Sequence, residues 1–178
     1  MKRLVFLRHA KAAPAAPGLD DRDRVLAERG RADAIRMGQY LREEDCVPAL
    51  VLCSSAARTR QTLELVIPQL GARPKVQIVD ALYLARWVSI FNLVRQVEST
   101  AEIMMVVGHN PGLEECVKKL ARPPGDAQGR RLHEALQAQY PTGAIAVLDF
   151  EAAAWNGIER GEGELEHFVY PKDLRGPE

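Results

Sequence analysis

Short apolar runs recur along this chain with amphipathic stretches between them, and that alternation leaves few folds open to it. Residues 4–7, 50–53, 76–79, 103–107 and 144–150 are predominantly apolar and of strand length. Most read as strands buried on both faces, because apolar residues follow one another instead of alternating with polar ones. Between them, residues 28–41, 57–70, 87–97 and 113–120 place apolar side chains at helical spacing, with Ala32, Ile35 and Leu41 on one side of the first. Strands alternating with helices predict an α/β fold, a mostly parallel sheet with helices on both faces. Residues 126–139 carry Leu132, Ala135, Leu136 and Gln139 in helical register and predict one further helix. Residues 164–170 alternate weakly, as an edge strand would, ahead of a polar tail. Gly and Pro gather between these elements, as in Pro123-Pro124-Gly125 and Pro141-Thr142-Gly143, and mark no domain boundary. The expectation is a single domain over residues 1–178.

Hydrophobic residues at 47% and charged residues at 27% argue against a disordered or fibrous chain. Lys+Arg and Asp+Glu both number 24, which removes the generic electrostatic case for a nucleic-acid or anionic-membrane partner. A local basic site can still hide inside a balanced total. The first apolar run ends at Arg8, too short for a signal-peptide core or a membrane span, so the chain reads as soluble and cytoplasmic. Cys46, Cys53 and Cys116 lack a C-x-x-C spacing and read as buried, reduced thiols, with no zinc site or disulfide framework.

In a parallel α/β sheet, ligands bind at the carboxyl ends of the strands. The first strand is followed by Arg8-His9, the second by Ser54-Ser55 and Arg58, and the run 103–107 by Gly108-His109-Asn110-Pro111-Gly112. Two histidines and at least two arginines would then meet at one sheet edge. Arginine's planar fork pairs bidentately with phosphate oxygens, so two converging arginines suit a dianionic phosphoryl group. A neutral imidazole among them is a competent nucleophile toward phosphorus, and neighbouring cations favour that neutral form. A second histidine, if protonated, can donate to the equatorial oxygens during transfer. Each motif alone has a bland reading as a turn or a solvated charge; their joint placement after three strands points to chemistry.

Leu7-Arg8-His9-Ala10-Lys11, Ser54-Ser55-Ala56-Ala57-Arg58-Thr59-Arg60-Gln61-Thr62 and Val107-Gly108-His109-Asn110-Pro111 together resemble the histidine phosphatase superfamily, most nearly its small SixA-type phosphohistidine phosphatases. The resemblance continues through Asp23-Arg24-Val25-Leu26-Ala27-Glu28-Arg29-Gly30, Leu82-Tyr83 and residues 140–150, and so covers nearly the whole chain. It implies a phosphoglycerate mutase-like fold with a minimal cap. It further implies that His9 is the transiently phosphorylated nucleophile, that Arg8 and Arg58 hold the phosphoryl group, and that His109 contacts the same oxygens. Arg24 matches a further arginine near the pocket. Ser54 and Asn110 sit beside the motif residues as additional hydrogen-bonding groups. No metal and no cofactor is implied, and inorganic phosphate or sulfate is an expected pocket ligand.

Several positions depart from the family pattern. Ala10 replaces the usual glycine after the nucleophile, and Ala27 stands where a Ser or Thr cap is common, removing about 1 kcal/mol of helix stabilisation. Superfamily mutases and many phosphomonoesterases use a carboxylate after the third strand to protonate the leaving oxygen. Here that region reads Asp80-Ala81-Leu82-Tyr83-Leu84, without a counterpart glutamate, and Asp80 reads as a solvated strand-end residue. Alkoxides leave poorly without a proton, whereas an N-protonated phosphoramidate loses imidazole easily, so the missing acid favours phosphohistidine over alkyl esters. The 126–139 helix is the main candidate for a cap, and there is room for only a modest one. An open pocket would admit a phosphohistidine on a partner protein, such as a phosphotransfer domain or a phosphocarrier. The alternatives are a small-molecule phosphomonoesterase, a mutase, and a non-catalytic phosphate-binding member.

Overall fold

The computed structural model describes residues 1–176. Six strands form one sheet: β1 (Lys2–Arg8), β2 (Leu50–Ser54), β3 (Lys75–Val79), β4 (Ile103–Gly108), β5 (Ile145–Phe150) and β6 (Glu164–Val169), in the order β3-β2-β4-β1-β5-β6. The first four pair in parallel, while β5 and β6 join antiparallel at one side. The helices are α1 (Glu28–Glu43), α2 (Ala57–Val66), α3 (Trp87–Arg95), α4 (Gly112–Leu120), α5 (Ala127–Ala138) and α6 (Pro171–Leu174).

The continuous apolar runs are explained by helices on both faces. Because side chains alternate along a strand, Leu4 and Phe6 enter one core while Val5 and Leu7 enter the other. Met104 and Val106 separate from Met105 and Val107 in the same way, as do Leu50 and Leu52 from Val51 and Cys53. The first core is closed by α3, α4 and Leu136 of α5, the second by α1 and α2. All three cysteines are buried and unbridged.

Two expectations need correction. β3 is not buried on both faces: Val76 and Ile78 are exposed, because it is one of the sheet's two edge strands, with a hydrogen-bonded neighbour on one side only. The core face of α1 is Ala34, Met37 and Leu41, and Ala32 is exposed. Ala32 and Ile35 had the right spacing, but small and apolar residues occur around much of that helix, so the pattern did not settle its rotation. The polar tail begins with the short helix α6, opened by Pro171 at a position where its fixed φ and missing N–H are tolerated. Arg175 then reaches the buried Asp33 of α1 at 2.9 Å and ties the tail down.

Gly30 shows how tightly α1 meets the strand ends. A Cβ there would run into the Lys11 carbonyl, which also accepts from the Ala27 N–H at 2.9 Å. The start of α1 is thereby fixed against the segment that follows β1. Ala27 provides no side-chain cap.

Candidate active site

Strand register brings the two histidines together. Arg8 is paired with Gly108 across the parallel β1–β4 ladder, so the next residue on each chain segment is a histidine. The His9 and His109 rings lie 5.4 Å apart. β2, on the other side of β4, ends at Ser54, whose hydroxyl is 2.7 Å from His109 Nε2. The turn after β2 starts α2 and delivers Arg58, 3% exposed, in its first turn.

His9 has a fixed tautomer. Its Nδ1 lies 2.8 Å from the Ala10 carbonyl, which can only accept, so Nδ1 carries the proton and Nε2 keeps its lone pair. Burial pushes His9 down to about 4, and the Arg58, Arg8 and Arg24 charges press the same way. The cationic surroundings do favour neutral imidazole, as the sequence suggested, but desolvation is the larger cause. His109 is pushed to about 3 by burial, then by His9 and Arg58. It is therefore a neutral imidazole in the free site rather than a standing imidazolium. Its Nδ1 is buried without a protein partner among the described residues.

Hydroxyls and main-chain groups hold this arrangement. Thr62 on α2 accepts from the Ala10 N–H at 3.0 Å and donates to the Arg58 carbonyl at 2.7 Å, linking the segment after β1 to the helix that carries Arg58. The Gly143 N–H bonds the His9 carbonyl at 2.9 Å, with φ of 80° that only glycine adopts freely. Arg8 donates through Nη1 to the Tyr140 carbonyl at 2.8 Å, and the Asn110 amide donates to the same oxygen at 3.0 Å. Gln61 accepts from the Leu26 N–H at 2.8 Å, pinning the Arg24 loop to α2.

Arg8, His9, Arg24, Arg58 and His109 all line one open cavity of about 420 Å³. Ser54 is spent on His109 and Asn110 on Tyr140 and Glu114, so both act as supports. Arg24 faces the cavity while donating to the Ala13 carbonyl at 3.1 Å. No residue of α5 lines the cavity; that helix packs on β6 instead, so the cap candidate does not cover the site.

Asp21 is the acidic residue of the cavity lining, and the sequence did not single it out. It bonds Arg24 and Arg58 at 3.0 Å each and accepts from the Tyr83 hydroxyl. These donors, Tyr83 foremost and then the arginines, hold its carboxyl well below the usual carboxylate range. The available signal was its position three residues before Arg24, one turn away in a 3-10 helix. With Asp20, Asp21 and Asp23 side by side, spacing alone did not say which of them turns inward. Asp80, by contrast, is 80% exposed at its side chain and pairs with Arg22 outside the cavity.

A tautomer-fixed nucleophilic nitrogen surrounded by arginines is chemically suited to receiving a phosphoryl group. No cluster of three or more His, Cys, Asp or Glu side chains is placed to hold a metal ion among the described residues. No helix among them is long and apolar enough to cross a membrane.

Residues 4–83 match the model of the histidine phosphatase superfamily (branch 1). An uncharacterized protein of Mycobacterium tuberculosis strain H37Rv is 32% identical over 166 residues, covering 93% of this chain and all of that one. A crystal structure of a candidate SixA phosphohistidine phosphatase from Agrobacterium tumefaciens superposes with a TM-score of 0.78 at 32% identity, covering 96% of this chain and 98% of the other. A solved structure of a second such candidate, from Nakamurella multipartitia, gives 0.81 at 31% identity, with 96% of each chain covered. The family match, the sequence identities and the superpositions point the same way, and the chain belongs to the histidine phosphatase superfamily, with the architecture of its SixA-type members.

Proposed function

We propose that this protein is a phosphohistidine phosphatase acting through a covalent phosphoryl group on His9, without a metal ion or other cofactor. One observation carries the reading. The cavity offers a neutral, tautomer-fixed imidazole to a set of arginines, while the carboxylate beside it is held ionised and has no proton to give. An alkyl ester would need that proton for its leaving oxygen; a ring-protonated phosphohistidine does not.

In the first step the His9 Nε2 lone pair attacks phosphorus and the P–N bond to the substrate ring breaks, its electron pair returning to the ring nitrogen. In the second, water attacks the phosphoryl group on His9, the new P–N bond breaks, and inorganic phosphate leaves. Arg8 and Arg58 hold the phosphoryl oxygens, Arg24 adds positive charge at the rim, and a His109 N–H donates as charge builds on the oxygens. The Ala10 carbonyl keeps Nδ1–H in place, so Nε2 stays the attacking atom through both steps. Local cations also disfavour a metal ion in the same space.

The uncapped cavity suits a phosphohistidine displayed on another protein, such as a phosphotransfer domain or a phosphocarrier. The SixA-type assignment of the structural relatives supports the same class. The test is dephosphorylation of a phosphohistidine protein and of p-nitrophenyl phosphate, side by side, by wild type and His9→Ala with a chelator present. Strong wild-type preference for phosphohistidine, lost in the variant, is expected; preference for the ester would transfer the reading to a small-molecule phosphomonoesterase. Phosphate, sulfate and vanadate should inhibit competitively through the arginines. Absence of any phosphoryl-enzyme in rapid quench would indicate a non-catalytic phosphate binder.

A further inference from the structure

Asp21 is ionised, fixed and inside the cavity, yet the two chemical steps above leave it without a task. Its two oxygens are not equally occupied. Oδ2 accepts from Arg58 and Tyr83, while Oδ1 accepts only from Arg24, and the side chain is 44% exposed. A carboxylate has about four lone-pair sites, so Oδ1 keeps capacity for one more donor from the open side. The carboxylate is held in place by its partners: Tyr83 packs edge-on against His109 at 5.5 Å, and Arg22 covers the Tyr83 ring at 4.3 Å. What it presents to an incoming substrate is an oriented negative charge in an otherwise cationic cavity.

We propose that Asp21 recognises the leaving group, its Oδ1 accepting the N–H of the substrate's phosphorylated imidazole ring and so selecting phosphohistidine over phosphate esters. The inference rests on the phosphohistidine reading and deepens it. A phosphoryl group sits on one ring nitrogen, and the other can carry a proton. When it does, P–N cleavage returns the electron pair to the phosphorylated nitrogen and a neutral imidazole departs. When it does not, the ring must leave as an anion. Asp21 favours the protonated ring and raises the pH up to which the substrate is in its reactive form. A phenolate or alkoxide leaving oxygen gains nothing from the same carboxylate and is repelled by it as negative charge develops.

The experiment compares kcat/KM of wild type, Asp21→Asn and Asp21→Glu on a phosphohistidine peptide and on p-nitrophenyl phosphate across neutral and mildly alkaline pH. Asp21→Asn should lose at least tenfold more on the peptide than on the ester. The gap should widen as pH rises above about 6.5, the ordinary imidazole value. Asp21→Glu should restore part of the alkaline activity. Because the ester reports on Arg58 and the fold in every variant, parallel losses on both substrates, or a gap independent of pH, would overturn the role and reduce Asp21 to a positioning residue for Arg58. In that outcome the wild-type preference for phosphohistidine survives. If wild type itself prefers the ester, both the preference and the role of Asp21 fall together.

Discussion

Acid sensitivity should trace to the two buried histidines, His9 and His109. His9 is 8% and His109 2% exposed, and both are pushed below the free-histidine value of 6.5, to about 4 and about 3. In the unfolded chain each binds a proton near pH 6.5, while in the native protein neither does until well below pH 5. The unfolded state therefore takes up more protons in this window, so stability falls as pH drops from about 6.5 toward about 4. Moving from pH 7 to pH 5 costs about 2 kcal/mol per histidine, about 4 kcal/mol for the two. The perturbation is His9→Asn, which retains a polar side chain without an ionisable ring. Urea unfolding at the two pH values, for wild type and variant, gives the difference directly. The variant should lose about 2 kcal/mol less than wild type on acidification. Carboxylates such as Asp21 titrate in both proteins and cancel in the comparison. Equal losses would refute the reasoning, because His9 would then have to keep an ordinary proton affinity in the folded state.

Other consequences follow from single contacts. Arg58→Ala should raise KM and lower kcat together, with kcat/KM for phosphohistidine falling at least about 100-fold, since charge-assisted hydrogen bonds to the phosphoryl group are lost; a loss confined to KM would place Arg58 in binding alone. Thr62→Val strips the partner from the buried Ala10 N–H, so thermal unfolding should show a loss of about 1–3 kcal/mol, with a lower kcat as the nucleophile segment loosens. Ala27→Ser supplies the missing helix cap and should stabilise by about 1 kcal/mol in urea titration without altering kcat.

Much of the candidate site's layout was legible because its residues sit directly after apolar runs. Arg8, His9 and His109 needed only the rule that parallel strands present their carboxyl ends to one edge. Arg58 needed the further observation that a helix starts after β2. The supports were much harder to find. Thr62 lies inside α2, where a threonine commonly bonds its own helix, and only the fold shows its hydroxyl also meeting the Ala10 N–H. Tyr140, 3% exposed, donates to the Phe6 carbonyl while its own carbonyl anchors Arg8, across more than 130 residues of chain. The misplaced face of α1 and the exposure of β3 have the same origin: burial depends on which neighbour arrives, and no local pattern records it.

By itself, then, the sequence determined the α/β layering, the positions of the strands and the histidine–arginine motifs, because apolar runs, helical periodicity and strand-end placement are local properties of the chain. Tertiary structure decided the register that sets His9 beside His109, the tautomer of His9, and the neutral state of both rings. It also chose Asp21 over Asp80 as the carboxylate facing the cavity, and left α5 away from it. Those outcomes depend on desolvation and on donors and charges brought together from residues far apart in the chain. Electrostatic free energies of that kind exist only once the elements have packed.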